Sequence, residues 1–145
     1  MLSRYYFRQD LGFGVVELEH YLQILKITPM ETQLVFNLAG GSVSCRFTPT
    51  AATELQAKLN QIVQVLKAKP AEIAGGGTKP KQHKPIEYQY TGDVFLEIFC
   101  NPNIWANPFV AKVLITLRDD RIRLSSEAEL TRIIEDVDRF MEQFG

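Results

Sequence analysis

Between Phe109 and Phe144 the apolar residues change their spacing once, and that change limits what this part of the chain can become. In "FVAKVLITLRD" they alternate, with Ala111, Val113, Ile115 and Leu117 on one side and Lys112, Leu114, Thr116 and Arg118 on the other. A period of two is the mark of a β-strand that buries one face. "RIRLS" keeps the period, with Ile122 and Leu124 opposed to Arg121 and Arg123. Asp119 and Asp120 between the two runs predict a hairpin turn. Beyond Ser126 the spacing lengthens to three and four: Leu130, Ile133, Ile134, Val137, Phe140, Met141 and Phe144. That is one face of a helix, and Ser126 with Glu129 has the spacing of a capping box. The segment reads as a hairpin running directly into an amphipathic helix.

The same step occurs earlier. "TQLVFNLA" and "SVSCRFT" read as strands joined at Gly40 and Gly41. Val43, Cys45 and Phe47 share one face of the second strand, and Ser44 and Arg46 share the other. Thr48 is a natural helix cap and Pro49 suits a first helical turn, where a missing N–H costs nothing. Leu55, Leu59, Ile62, Val63 and Leu66 then form the helical stripe, and Pro70 is expected to end it. A shift of 75 positions lays Leu55 on Leu130, Leu59 on Ile134 and Ile62 on Val137. Strand-like runs precede each hairpin: "RYYFRQD" and "VVELEHYLQILKI" before the first, "IEYQYTG" and "VFLEIFC" before the second. The expectation is an α+β fold of two pseudo-symmetric β-β-β-β-α repeats, with antiparallel sheets and one helix packed per repeat.

The stretch "AGGGTKPKQHKP" lies between the halves. Its glycines loosen the backbone, and Pro80 and Pro85 keep it from helix or central strand. Each half alone is near the size where a core is marginal. The reading is therefore one domain over 1–145, with repeat one at 1–70, a linker at 71–85 and repeat two at 86–145.

A 145-residue chain with 46% hydrophobic and 23% charged residues suits one globular domain. The formal net charge of −1 supplies no global field for nucleic acid or an anionic membrane. "MLSRYYFRQD" places charges where a secretory segment is apolar, and no apolar run is long enough to span a bilayer. A cytoplasmic location with no membrane contact is expected. Cys45 and Cys100 read as buried thiols, with a bridge between them as the alternative. His20 and His83 do not stand at metal-ligand spacing, so no metal is expected. Cys45 with His20 is a nucleophile–base pair by residue type alone. No phosphate-binding glycine loop, nucleophile elbow or zinc-protease helix is present, so no catalytic residue and no cofactor is assigned.

Charge is unevenly placed. From Lys67 to Pro85 five lysines stand against Glu72, a net of +4; from Ser125 onward Arg132 and Arg139 stand against six carboxylates, a net of −4. If each helix covers the more apolar strand face, the opposite face carries Arg46, Lys112, Arg118, Arg121 and Arg123, with Tyr6, Tyr88 and Tyr90 as candidate neighbours. Cations with interleaved rings suit single-stranded nucleic acid, phosphates going to Arg and Lys and bases to aromatic faces. Alternatively Glu17, Glu19, Glu87 and Glu97 neutralise these cations as cross-strand pairs. The loop "CNPNIWANPF" holds two Asn-Pro turn signals around Ile104 and the single tryptophan, Trp105. This apolar pair either contacts a protein partner or folds back into the core.

"RYYFRQD", "SVSCRFTPTAATELQAKLNQIVQVL" and "RIRLSSEAELTRIIEDVDRFM" together resemble the single-stranded-DNA-binding transcriptional regulator fold, whose members include the Whirly proteins and the PUR-repeat proteins. The resemblance lies in topology and spans nearly the whole chain. It implies a sheet surface that binds single-stranded DNA or RNA, here the face of Arg46, Lys112, Arg121 and Arg123. The first expectation is therefore a nucleic-acid-binding or regulatory module that performs no chemistry, as a homodimer. The competing expectation is a protein-interaction or assembly factor that uses strand edges and the Trp105 loop.

Overall fold

A computed structural model describes residues 4–6, 15–17, 32–75 and 81–145. The chain divides into two compact units, Met1–Glu31 and Thr32–Gly145. In the first, β1 (Arg4–Tyr6) pairs antiparallel with β2 (Val15–Glu17), Arg4 opposite Glu17. The remainder of "VVELEHYLQILKI" after Glu17, His20, Glu19 and the side chain of Tyr6 lie outside the described residues.

The second unit is α+β. It begins with a two-stranded sheet, β3 (Gln33–Leu38) and β4 (Gly41–Arg46), and continues into α1 (Pro49–Ala74). Leu38 pairs with Gly41, so Ala39 and Gly40 form the two-residue turn, one position earlier than the Gly40–Gly41 expectation. Leu34, Phe36, Cys45 and Phe47 point inward. Thr48 caps α1 as expected, its side-chain oxygen accepting from the Ala51 N–H.

Pro70 does not end α1, which runs on to Ala74. The proline ring removes one helical hydrogen bond, at a cost of about 3 kcal/mol. The last turns have other partners that offset it. The Lys69 ammonium donates to the carbonyls of Pro102 and Trp105, and Glu72 meets His83 at 3.0 Å. Positions 71–74 of the expected linker are thus helix. Segment 71–85 joins parts of one core, since residues from β3, β4, α1, the later strands and the last helix form one buried cluster.

Four antiparallel strands follow in the order β5 (Ile86–Thr91), β6 (Phe95–Cys100), β7 (Lys112–Arg118) and β8 (Arg123–Glu129). They lead into α2 (Leu130–Phe144). The Asp119 carboxylate closes the β7–β8 turn by accepting from the N–H groups of Ile122 and Arg121, both at 2.8 Å. The Ile122 amide, then that of Arg121, holds its carboxyl below the usual range. The expected Ser126–Glu129 capping box does not form. Strand β8 stays paired with β7 through Glu129, and the Leu130 N–H donates to the Ala111 carbonyl. The ladder and the cap compete for the same backbone groups, and the ladder holds them. The α2 stripe lies as its spacing predicts: Leu130, Ile133, Val137 and Phe140 are buried and Ile134, Met141 and Phe144 pack at the margin.

The face of the four-stranded sheet that carries Ile86, Tyr88, Leu96, Ile98, Val113 and Ile115 shares one core with both helices and the β3–β4 hairpin, α1 packing on β5 and α2 on β8 and β3. The opposite face carries Glu87, Gln89 and Thr91 on β5, Phe95, Glu97 and Phe99 on β6, Lys112, Leu114, Thr116 and Arg118 on β7, and Arg123, Ser125, Glu127 and Glu129 on β8.

Candidate functional site

Strand parity decides which predicted residues meet. Tyr88 and Tyr90 share the face of Ile86, opposite in parity to Lys112 and Arg118. The expectation that they join the cations is therefore corrected. Tyr88 is buried against α1, its hydroxyl donating to the Ala51 carbonyl at 3.0 Å. Burial, with Glu54 beside it, pushes the phenol pKa upward. Tyr90 packs on Phe47 with ring centroids 4.7 Å apart. The rings on the uncovered face are instead Phe95 and Phe99.

The cations fall into three settings. Arg46 stands on β4, in the two-stranded sheet rather than the four-stranded one, and pairs with Asp93 at 3.0 Å. Lys112 approaches Glu127 at 3.6 Å on the uncovered face. Arg121 lies in the β7–β8 turn and is exposed, 4.0 Å from Asp120. Arg118 and Arg123 sit directly opposite each other across the β7–β8 ladder. The Arg118 guanidinium lies 4.4 Å from the Phe95 ring centroid, a cation–π arrangement that keeps the side chain along the sheet. Thr116, between them and the far end of the strand, is buried and shares a 3.1 Å hydrogen bond with Ser125.

At the other end of the sheet lies the loop between β6 and β7. Asn101 opens a short 3₁₀ turn, Pro102–Ile104, by accepting from the Asn103 N–H at 3.1 Å. Asn103 then holds the chain before β5: it accepts from the His83 N–H at 2.9 Å and donates to the His83 carbonyl at 2.7 Å. Lys69 fixes the Pro102 and Trp105 carbonyls from α1. Asn107 accepts from the N–H groups of Phe109 and Val110. These anchors divide the predicted Ile104–Trp105 pair. Trp105 packs at the edge of the core, while Ile104 is 66% exposed. Phe109, at 83% exposure, and Val110 join Ile104 outside. The sequence reading missed both residues, although "NPFV" places two apolar residues directly after a turn signal.

The two cysteines are free and buried. Burial pushes each thiol pKa to about 11, so the thiolate is scarce at neutral pH and neither side chain is poised as a nucleophile. The bridge considered from the sequence is not formed.

The sequence reading also missed Asp136, which it counted within an acidic solvated face. Its side chain is 0% exposed. It accepts from the Asn37 N–H at 2.7 Å, the Asn37 side-chain amide at 2.6 Å and Arg139 at 3.3 Å. It thus ties β3 to α2 rather than facing solvent.

Among the described residues no helix is long and apolar enough to cross a membrane. Comparison with protein-family models, with curated proteins and with solved structures finds no match.

Proposed function

We propose that this chain is a non-catalytic protein-interaction module whose docking element is the loop between β6 and β7. The observation that carries this reading is the exposure of Ile104, Phe109 and Val110 on a loop whose backbone is held from α1, from His83 and by its own asparagines. A loop so anchored loses little further entropy on binding, so the burial of its side chains goes mainly into affinity. The exposed lysines Lys67, Lys81 and Lys84 lie within a few positions of the anchoring residues Lys69 and His83. The partner that fits is an apolar protein segment with acidic flanks. Fully burying an apolar side chain contributes about 1.5–3 kcal/mol. The double variant Ile104→Asp/Phe109→Asp is therefore expected to weaken a purified partner at least ~100-fold. The measurement is affinity capture with wild type and variant, followed by titration of the reconstituted pair. Equal affinity for the variant overturns the reading.

A second reading is favoured by one observation. Arg118 and Arg123 face each other with Phe95 beneath Arg118, and among the described residues neither is in an ion pair. We infer from this a small site for single-stranded nucleic acid on the uncovered sheet face. Mobility shifts with single-stranded DNA and RNA are expected to weaken as salt rises, through counterion release, and to vanish in Arg118→Glu. No shift at low or physiological salt rejects it.

A further inference from the structure

Strand β8 is an edge strand, and its sequence is complementary to itself. The Leu130 N–H donates to the Ala111 carbonyl, so in this register the even residues of β8 exchange hydrogen bonds with β7. The N–H and C=O groups of Arg123, Ser125, Glu127 and Glu129 therefore point away from β7. Among the described residues no backbone group pairs with them; the Glu127 carbonyl accepts only from the adjacent Ser126 hydroxyl, at 3.2 Å. Edge strands are usually blunted by proline, bulges, brevity, charged side chains or a covering element. This one has seven residues, no proline and an unbroken register; the end of β3 flanks it across a cleft at Glu127–Glu129, and its charges are of both signs.

The run Arg121-Ile122-Arg123-Leu124-Ser125-Ser126-Glu127-Ala128-Glu129 has cations at one end and carboxylates at the other. We infer that β8 pairs antiparallel with β8 of a second copy about a two-fold axis at Ser125, joining the two sheets into one of eight strands. In that register Arg123 faces Glu127 of the second copy and Arg121 faces Glu129, each twice by symmetry. Ser125 faces itself. The outward-pointing backbone groups of Arg123, Ser125 and Glu127 then meet their counterparts. Moving the axis to Ser126 leaves Arg121 without an opposite carboxylate on the strand, and moving it to Leu124 sets Asp119 against Glu129. The Ser125 register alone engages all four cations.

Two further features gain a purpose. Ile122 is 65% exposed at the turn, and in the pair it faces Ala128 of the second copy. Ala128 lines a cleft of about 440 Å³ with Asn37, Leu38 and Ala39, rimmed by Glu127 and Glu129 and by Lys112 and Arg132. Leu38, Ala39 and Ala128 offer Ile122 apolar contact there, with the carboxylates beside them. Arg123 and Glu129 have no ion-pair partner among the described residues, and Arg121 reaches only the exposed Asp120. The pairing supplies partners for all three. It is independent of the β6–β7 loop, so Ile104→Asp/Phe109→Asp leaves it intact.

The test is the mass of the full chain by sedimentation or light scattering. Wild type is expected to be dimeric. Arg123→Glu and Glu127→Arg each set like charges opposite one another twice and are expected to weaken the dimer tenfold or more. An equimolar mixture of the two variants restores opposite charges at both positions and is expected to dimerise. That rescue also shows that neither variant has merely misfolded. In a separate arm, Ser125→Cys places two thiols at the self-paired position, where Cα atoms of a hydrogen-bonded pair are about 5.5 Å apart and within disulfide reach. Mild oxidation is expected to link Ser125→Cys chains and to leave Glu87→Cys chains unlinked. A monomeric wild type, a dimer indifferent to both charge reversals, or a mixture without rescue overturns the inference.

Discussion

Replacing Asp136 with alanine is expected to destabilise the 32–145 unit by about 2–4 kcal/mol, the cost of leaving two donors without their charged acceptor. The size follows from what is left behind. The carboxylate accepts from the Asn37 N–H at 2.7 Å and from the Asn37 amide at 2.6 Å. Alanine satisfies neither donor, and the Asn37 N–H points away from β4 with no other acceptor among the described residues. An unsatisfied buried donor costs about 1–3 kcal/mol, and bonds to a charged acceptor lie at the upper end. The Arg139 contact adds little, since that side chain is 58% exposed. Asp136→Asn keeps one acceptor oxygen and is expected to cost about half as much. Asn37→Ala with Asp136→Ala removes both sides and is expected to cost clearly less than the two single losses added together. Urea unfolding of the four proteins measures this. A shift below about 1 kcal/mol for Asp136→Ala would mean that the carboxylate does not hold β3 to α2.

Asp136 was legible in part. It lies three positions after Ile133 and four before Phe140, so helical geometry places it beside the buried stripe, and only its residue type argues for solvent. The hairpins and helical stripes were legible because each element buries a single face, and a single face leaves a period in the sequence. Tyr88 and Tyr90 illustrate the limit. Their shared parity with Ile86 was readable, but tyrosine suits either side of a sheet, and the deciding contacts come from Ala51 of α1 and from Phe47, more than 30 positions away in the chain. Pro70 was misjudged for a related reason. Its local rule is sound, but the His83 and carbonyl contacts that carry α1 past it come from residues 83 to 105. The Ser126–Glu129 box has the right spacing, yet β7 had already taken the backbone that the box needs. For the site, parity gave the cations on β7 and β8. The exposure of Phe109 depends on where Lys69 and Asn107 hold the loop, and no periodicity reports that.

Phe47→Ala is expected to cost about 3–5 kcal/mol, the range for deleting a buried aromatic side chain. Phe47 is 1% exposed at the end of β4, just before the Thr48 cap of α1. Its ring meets Tyr90 of β5 at 4.7 Å and Phe140 of α2 at 6.0 Å, edge-on in the second case. Its backbone is held on both sides, the N–H donating to the Thr32 carbonyl and the carbonyl accepting from the Thr32 hydroxyl. With the backbone so fixed, the chain cannot close around the missing ring, and the cavity term is felt nearly in full. Phe47→Leu keeps much of the volume but loses both ring pairs, each contributing about 0.5–1.5 kcal/mol beyond area, so an intermediate loss is expected. The distribution of the loss matters as much as its size. Phe47 touches the first hairpin, the four-stranded sheet and the last helix, which segment 71–85 separates in sequence. If these form one cooperative core, hydrogen exchange in Phe47→Ala accelerates in β3, β5 and α2 together. Acceleration confined to β3 and β4 would instead mean that the hairpin is a separate layer over a sheet that is stable without it, and the single-core account would fail.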